Sequence, residues 1–260
     1  DAGPEDADAI AGRLPDLGFE AAGMTWPLFA EKLAEMGGIV EAFVEGAEKR
    51  SPSVQYRVDP AGALSAISTH DQVLGGAEGG VFLGCTFPAD PAYRLAIQEA
   101  GRPAAEALRD AGVLGRFGID FISVKAGDGW RHYAIEVNLR KGGTTHPFLM
   151  LQMLTDGAYE EKSGLFRTRG GEARYYRATD NLEAPEYRGL SPDDLIDIAL
   201  RHDLHFHSGA GRGVVFHLIG ALSEYGKLGA VAVGESPEAA AELYATAVAA
   251  LDLECGRNGG

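Results

Sequence analysis

The chain has 260 residues, enough to bury one large core or two smaller ones. Its formal charge of −15 argues against a nucleic-acid or anionic-membrane partner, either of which calls for a basic face, and no apolar run approaches the ~20 residues of a membrane span. Two cysteines far apart in the sequence, Cys85 and Cys255, argue against a disulfide framework and fit a reduced, cytoplasmic setting.

The first 25 residues are acidic, punctuated by Gly and Pro, and weakly periodic, with neither an initiator Met nor the basic and apolar regions of a signal peptide. The expectation is a chain that begins part-way through a longer protein. "PLFAEKLAEM" places Leu28, Phe29, Leu33 and Met36 on one helical face, and Gly37-Gly38 stops it. "GIVEAFVEG" reads as a strand. Two strands follow around the turn Asp59-Pro60-Ala61-Gly62, then a further strand, "VFLGCTF". "PAYRLAIQEAGRPAAEALRDAG" is helical, with Gly101 and Pro103 expected to kink or split it. Strands over 116–125 and 130–139 flank Gly127-Asp128-Gly129, and a short helix begins near His146-Pro147. Residues 156–190 read as polar and loop-like with one hairpin. Ser191 and Asp194 form a capping box for the next helix; the end reads "GVVFHLIGAL" as strand, "KLGAVAVG" as strand, and a helix capped by Ser236. Antiparallel strand runs between scattered helices predict an α+β fold.

The strand 130–140 carries the chemistry. Ile135, Val137 and Leu139 take one face; Glu136, Asn138 and Arg140 take the other. On the preceding strand Ile119 and Phe121 alternate with Asp120. If both apolar sets face one core, directly opposed residues share parity, and a three-residue turn at 127–129 pairs Ala126 with Trp130 and Asp120 with Glu136. Two opposed carboxylates repel. A hard divalent cation such as Mg²⁺ makes that oxygen-rich cluster favourable, although a solvated polar face would give the same alternation.

"FGIDF" followed by "AIEVNLR" resembles the metal-binding strand pair of ATP-grasp ligases. The resemblance implies that Asp120, Glu136 and Asn138 hold Mg²⁺ against the phosphates of ATP, and that Arg140 faces the acyl phosphate. Upstream, "IVEAFVEGAEKRS" resembles the adenine-gripping hinge of the same superfamily. It implies Glu41 beside the adenine amino group, the Val44 backbone on the ring edge and Glu48 on the ribose hydroxyls. "EGAEKRSPSVQ", "STHDQVLGG", "GCTFPADPAY", "NLRKGGTTHPF" and "FHLIGALSEYGKLG" together are similar to the ATP-grasp group related to the pheganomycin peptide ligase, over about residues 26–251. The implied architecture is an ATP-grasp antiparallel sheet with flanking helices, its N-terminal part incomplete, ending in a strand–strand–helix segment. The domains it implies are a lid remnant at 1–40, a core at 41–155 and a C-terminal α/β subdomain at 156–260. The implied activity is ATP-dependent joining of a small-molecule or peptide carboxylate to an amine through an acyl phosphate. A nucleotide-binding module without turnover is the alternative, and a hydrolase or phosphotransferase using the same metals is a third.

The chain departs from that pattern in one respect. Such enzymes carry two lysines and a glycine-rich loop ahead of the hinge, whereas Lys32 is the sole lysine before Glu41 and lies in a helical stretch. Other signals read as structure. His202, His205 and His207 lie close together, but no acid or Cys completes a metal site at ligand spacing in the sequence, so they read as surface or partly packed histidines. Lys141 with Gly142-Gly143-Thr144-Thr145 is either an anion nest at a helix start or a simple turn and cap. His146 is a possible substrate contact or a packed cap residue, and Cys85 reads as core.

Overall fold

A computed structural model describes residues 4–19, 21, 23–75 and 81–256. The helices are α1 (Pro4–Arg13), α2 (Trp26–Met36), α3 (Arg94–Asp110), α4 (Thr145–Thr155), α5 (Pro192–Arg201), α6 (Leu222–Tyr225) and α7 (Pro237–Glu254). The strands are β1 (Lys49–Arg50), β2 (Pro52–Val58), β3 (Leu64–Gly75), β4 (Val81–Phe87), β5 (Gly115–Ala126), β6 (Gly129–Asn138), β7 (Ala158–Glu160), β8 (Leu165–Arg167), β9 (Ala173–Glu183), β10 (Gly213–His217) and β11 (Lys227–Gly234). The chain divides into two units, Asp1–Glu45 with Leu74–Val81, and Gly46–Val73 with Phe82–Gly260.

The first unit carries α1 and α2. The Phe29 ring packs against Phe19 at 5.2 Å and Trp26 at 6.2 Å. Residues 38–46, expected as a strand, take no regular structure. The side-chain alternation was there, but alternation alone does not make a strand, and no described β-ladder includes these residues.

The second unit is built on a sheet ordered β1-β5-β2-β3-β4-β9-β11-β10, with β6 on β5 and the β7–β8 hairpin on β9. Its strands run antiparallel in every described ladder. The sheet continues across residue 155.

Helices cover both faces, because the strands bury alternate residues on each side. Phe117, Ile119 and Phe121 of β5 join Val54 and Tyr56 of β2 beneath Ile97 and Ala105 of α3. On β11, Val231 and Val233 face Phe148 and Leu151 of α4, while Ala230 and Ala232 face Ala247, Ala250 and Leu251 of α7.

Three expectations are corrected. α3 runs unbroken through Gly101 and Pro103; a side chain at Gly101 would meet the Tyr56 hydroxyl and Val54 at 3.0 Å, so the glycine lets the helix lie close on β2. Within the segment read as loop, the hairpin is present as β7–β8, but residues 173–183 form β9, an interior strand between β4 and β11. Its polar residues misled: buried Arg174 donates to the carbonyls of Ala210 and Gly211 at 2.9 and 2.8 Å, and Thr179 donates to the Leu83 carbonyl at 2.5 Å. "GVVFHLIGAL" is strand only as far as His217, after which the chain turns into a 3-10 turn and α6. The Ser191–Asp194 capping box and the Ser236 cap are both present.

Candidate active site

β5 and β6 set the geometry. Asp120 pairs with Glu136, and Gly118 with Asn138, so Asp120, Glu136 and Asn138 share one face of the sheet. That face is opposite to Phe117, Ile119 and Phe121, on the side where Arg116 of β5 reaches Phe148 and Gln152 of α4.

The pairing arises by a route the sequence did not disclose. The turn has two residues, Gly127 at φ +58° and Asp128, and it pairs Ala126 with Gly129 and Lys125 with Trp130. Continued regularly, that register would set Ile135 opposite Asp120. A bulge at Ile135, between the Phe121–Ala134 and Asp120–Glu136 pairs, absorbs one residue and restores the match. The apolar face of β6 and the residue after it are likewise not core: Ile135, Val137 and Leu139 are 39%, 44% and 58% exposed, because among the described residues β6 pairs with β5 alone.

The Asn138 side-chain amide donates to Asp120 Oδ2 at 3.0 Å, which leaves its own carbonyl oxygen for a ligand. Burial, then the facing charge of Glu136, push the Asp120 carboxyl up to about 6, against hydrogen bonds from Gln72 and Asn138 and the attraction of Arg140. Two carboxylates and an amide oxygen on one face, with charge repulsion already felt by one acid, form a hard-oxygen donor set that fits Mg²⁺. Gln72, on β3, was missed by sequence reasoning; it becomes relevant only because β3 lies one strand away from β5, across β2.

Arg140 follows Asn138 on the exposed run out of β6, close enough to Asp120 to act on its carboxyl. The structure thus brings Asp120, Glu136, Asn138 and Arg140 together. Glu48 also belongs to the second unit, where it lies against Arg50 at 2.9 Å and its backbone carbonyl accepts from Lys125. Glu41 and Val44 belong to the first unit.

Beyond Arg140 the chain turns through Gly142 and Gly143 into α4. Gly142 N–H donates to Thr145 Oγ1 at 3.2 Å, and Thr144 caps the helix by position without a side-chain hydrogen bond. This helix start borders a cavity of about 240 Å³ lined by Gly143, His146, Asp180 and His217 among apolar neighbours including Phe82 and Cys85. The His146 and His217 rings meet edge to face at 4.5 Å. Burial, then His146, hold the His217 imidazole below its usual range, and its Nε2 is buried without a protein partner among the described residues. Asp180 and His217 were missed, since nothing in the sequence places β9 or the end of β10 beside the α4 start.

Comparison with known proteins decides the family. A family model described as IQCH-like, ATP-grasp matches residues 19–162, more than half of the chain. The chain belongs to the ATP-grasp family. Both β5 and β6 lie within this ATP-grasp match, and a second model, the PGM1 C-terminal domain, matches residues 194–247. An L-propargylglycine–L-glutamate ligase from Streptantibioticus cattleyicolor is 36% identical over 223 residues, covering 86% of this chain and 44% of that protein. The fold also matches N5-carboxyaminoimidazole ribonucleotide synthetase from Thermus thermophilus, with 17% identity, coverage of 94% of this chain and 64% of that one, and a TM-score of 0.50. The biotin carboxylase domain of Hydrogenobacter thermophilus 2-oxoglutarate carboxylase, in complex with MgADP and bicarbonate, matches at 15% identity and TM-score 0.54, over 94% of this chain and 58% of that one. The ATP-grasp chain described here therefore spans less than half of the curated relative and under two thirds of these structures.

Proposed function

We propose that this chain carries the metal-binding core of a Mg²⁺- and ATP-dependent ligase that joins a carboxylate to an amine, and that it works in the cytoplasm. The observation that carries the reading is the juxtaposition of Asp120, Glu136, Asn138 and Arg140 on one sheet face of an ATP-grasp fold. In the reaction, an oxygen of the substrate carboxylate takes the γ-phosphoryl group of ATP and ADP leaves. The amine nitrogen then bonds to the acyl carbon, inorganic phosphate departs, and the amine proton passes to a base.

The protein's part is charge compensation and positioning. Asp120, Glu136 and the Asn138 oxygen would hold Mg²⁺, which would supply charge neutralisation at the phosphates. Arg140 presents a planar fork that takes two phosphoryl oxygens at once. Glu41 and the Val44 backbone serve the adenine, and Glu48 the ribose. The likeness to an L-propargylglycine–L-glutamate ligase favours amino acids as both partners.

A second reading is a nucleotide-binding module that releases no ADP. Assay of the intact protein with Mg·ATP and a panel of amino acids separates the two. ADP release that requires both an acid and an amine supports the ligase. Nucleotide binding without release supports the module, and release with no amine present points to hydrolysis or phosphotransfer.

A further inference from the structure

The acid passed over in the sequence stands within the histidine-rich stretch itself: Asp203, between His202 and His205. Asp203, His205 and His207 each offer a donor atom, and the three atoms lie within 4.8 Å of one another. His207 Nε2 stands 3.0 Å from Asp203 Oδ1, and the two imidazole rings are 4.0 Å apart. From these contacts we propose a site for a divalent first-row transition metal ion, of the Zn²⁺ class, held by Asp203, His205 and His207.

The backbone around the triad is fixed before any ion arrives. Asp203 turns the chain out of α5 at φ +52°, a left-handed conformation that Asp tolerates better than most side chains. His205 bridges to Val214 and His207 to Arg212, so both rings emerge on one side of a short extended run beside β10. A side chain at Gly213 would collide with the His205 carbonyl, so the glycine permits this close approach. The turn that follows is closed by Gly211 N–H donating to the His207 carbonyl at 2.8 Å. It is gripped from beneath by the buried Arg174 guanidinium, which donates to the carbonyls of Ala210 and Gly211. Among the described residues, His205 Nδ1 is buried with no protein partner.

Donor chemistry sets the ion class. Imidazole nitrogens suit Zn²⁺, Ni²⁺ and Cu²⁺ and disfavour Mg²⁺ and Ca²⁺, which take oxygen ligands. With metal–nitrogen bonds of about 2.0–2.1 Å, tetrahedral donors sit roughly 3.3 Å apart. The His207–Asp203 separation already meets that spacing, and side-chain rotation on the fixed backbone brings His205 in. Three protein ligands leave one position for water. Bound there, the ion braces the run 203–207 that follows α5 and bridges to β10 at Val214, and the far end of β10 carries His217 into the cavity beside α4. This site is independent of the proposed Mg²⁺ site and does not rest on the ligase reading.

Equilibrium dialysis of the 260-residue chain against Zn²⁺, with bound metal measured by mass spectrometry, tests the proposal. The expected result is one equivalent retained and a raised melting temperature. In His207→Ala and Asp203→Asn, both changed at exposed positions, affinity falls at least tenfold, while His202→Ala and His146→Ala bind as the parent does. Co²⁺ substituted for Zn²⁺ should give ligand-field bands without thiolate charge transfer, which excludes Cys85 and Cys255 as ligands. Failure of the parent chain to retain an equivalent, unchanged binding in both His207→Ala and Asp203→Asn, or equal weakening by His202→Ala or His146→Ala would overturn the site and leave an Asp203–His207 ion pair only.

Discussion

Asp120 and Arg140 are asked to do opposite things, and each makes a prediction. The Asp120 carboxyl is raised to about 6 by burial and by Glu136. A carboxyl with a raised folded-state pKa contributes stability that is full below its ordinary value, near 4, and lost as pH rises through about 6. At pH 8 the metal-free chain therefore carries an unfavourable charge at this position. Asp120→Asn should stabilise it there by at most about 3 kcal/mol, with little gain at pH 4, and should abolish stabilisation by added Mg²⁺. Urea unfolding at the two pH values, with and without Mg²⁺, reads this directly; a destabilised variant at pH 8 without metal would contradict it. Arg140 acts on the moving phosphoryl group. Replacing its fork with a single ammonium, Arg140→Lys, should lower turnover by roughly two orders of magnitude, the scale of losing one transition-state donor, with little change in ATP affinity. A fall in affinity at unchanged turnover would assign Arg140 to ground-state phosphate instead.

At the scale of elements, β3 and β9 are tied through the sheet by a buried pair. His70 Nε2 and the Tyr176 hydroxyl are 2.7 Å apart, both packed against Phe87. Burial holds the His70 imidazole down at about 3. A histidine with a depressed folded-state pKa contributes stability that is present above its unfolded value, near 6.5, and lost as pH falls. The His70 contribution should therefore fall as pH drops from about 6.5 toward 3, against the gain from Asp120, and His70→Gln should remove that contribution from the pH slope even if it lowers stability throughout. Denaturation midpoints at several pH values check it, and an unchanged slope would refute it. Elements whose signal is local were legible in the sequence: β4 and β11 by their apolar runs, α5 and α7 by their caps, β2 and β3 by the Asp59–Gly62 turn. Those decided by distant partners were not. β9 is polar in sequence yet interior in the sheet because Arg174 and Thr179 find backbone carbonyls far along the chain. Residues 38–46 carry a strand pattern but belong to no described β-ladder. The Asp120–Glu136 match was legible from parity, but the bulge that achieves it was not, since one extra residue at Ile135 replaces one in the turn.

For the molecule as a whole, Glu41 and Val44 belong to one unit, and Glu48 and the metal-binding strands belong to the other. The two lysines and glycine-rich loop of the family pattern do not precede Glu41 in this sequence. A charged donor to phosphate contributes about 1.5–3 kcal/mol, so two fewer should weaken nucleotide binding by two orders of magnitude or more. Calorimetric titration of residues 1–260 with Mg·ATP should give weak binding, and a low-micromolar dissociation constant would show that Lys49, Arg50 or Lys141 supplies the missing grip. The central claim is that Asp120, Glu136 and Asn138 bind the metal of a phosphoryl-transfer site. Its most direct test is Mg²⁺-dependent ADP formation by the intact protein carrying Glu136→Gln, alongside the parent. The side chain is exposed and the change conserves its shape, so the fold should persist by circular dichroism while ADP formation is abolished. Parental turnover in a folded Glu136→Gln protein would contradict the account.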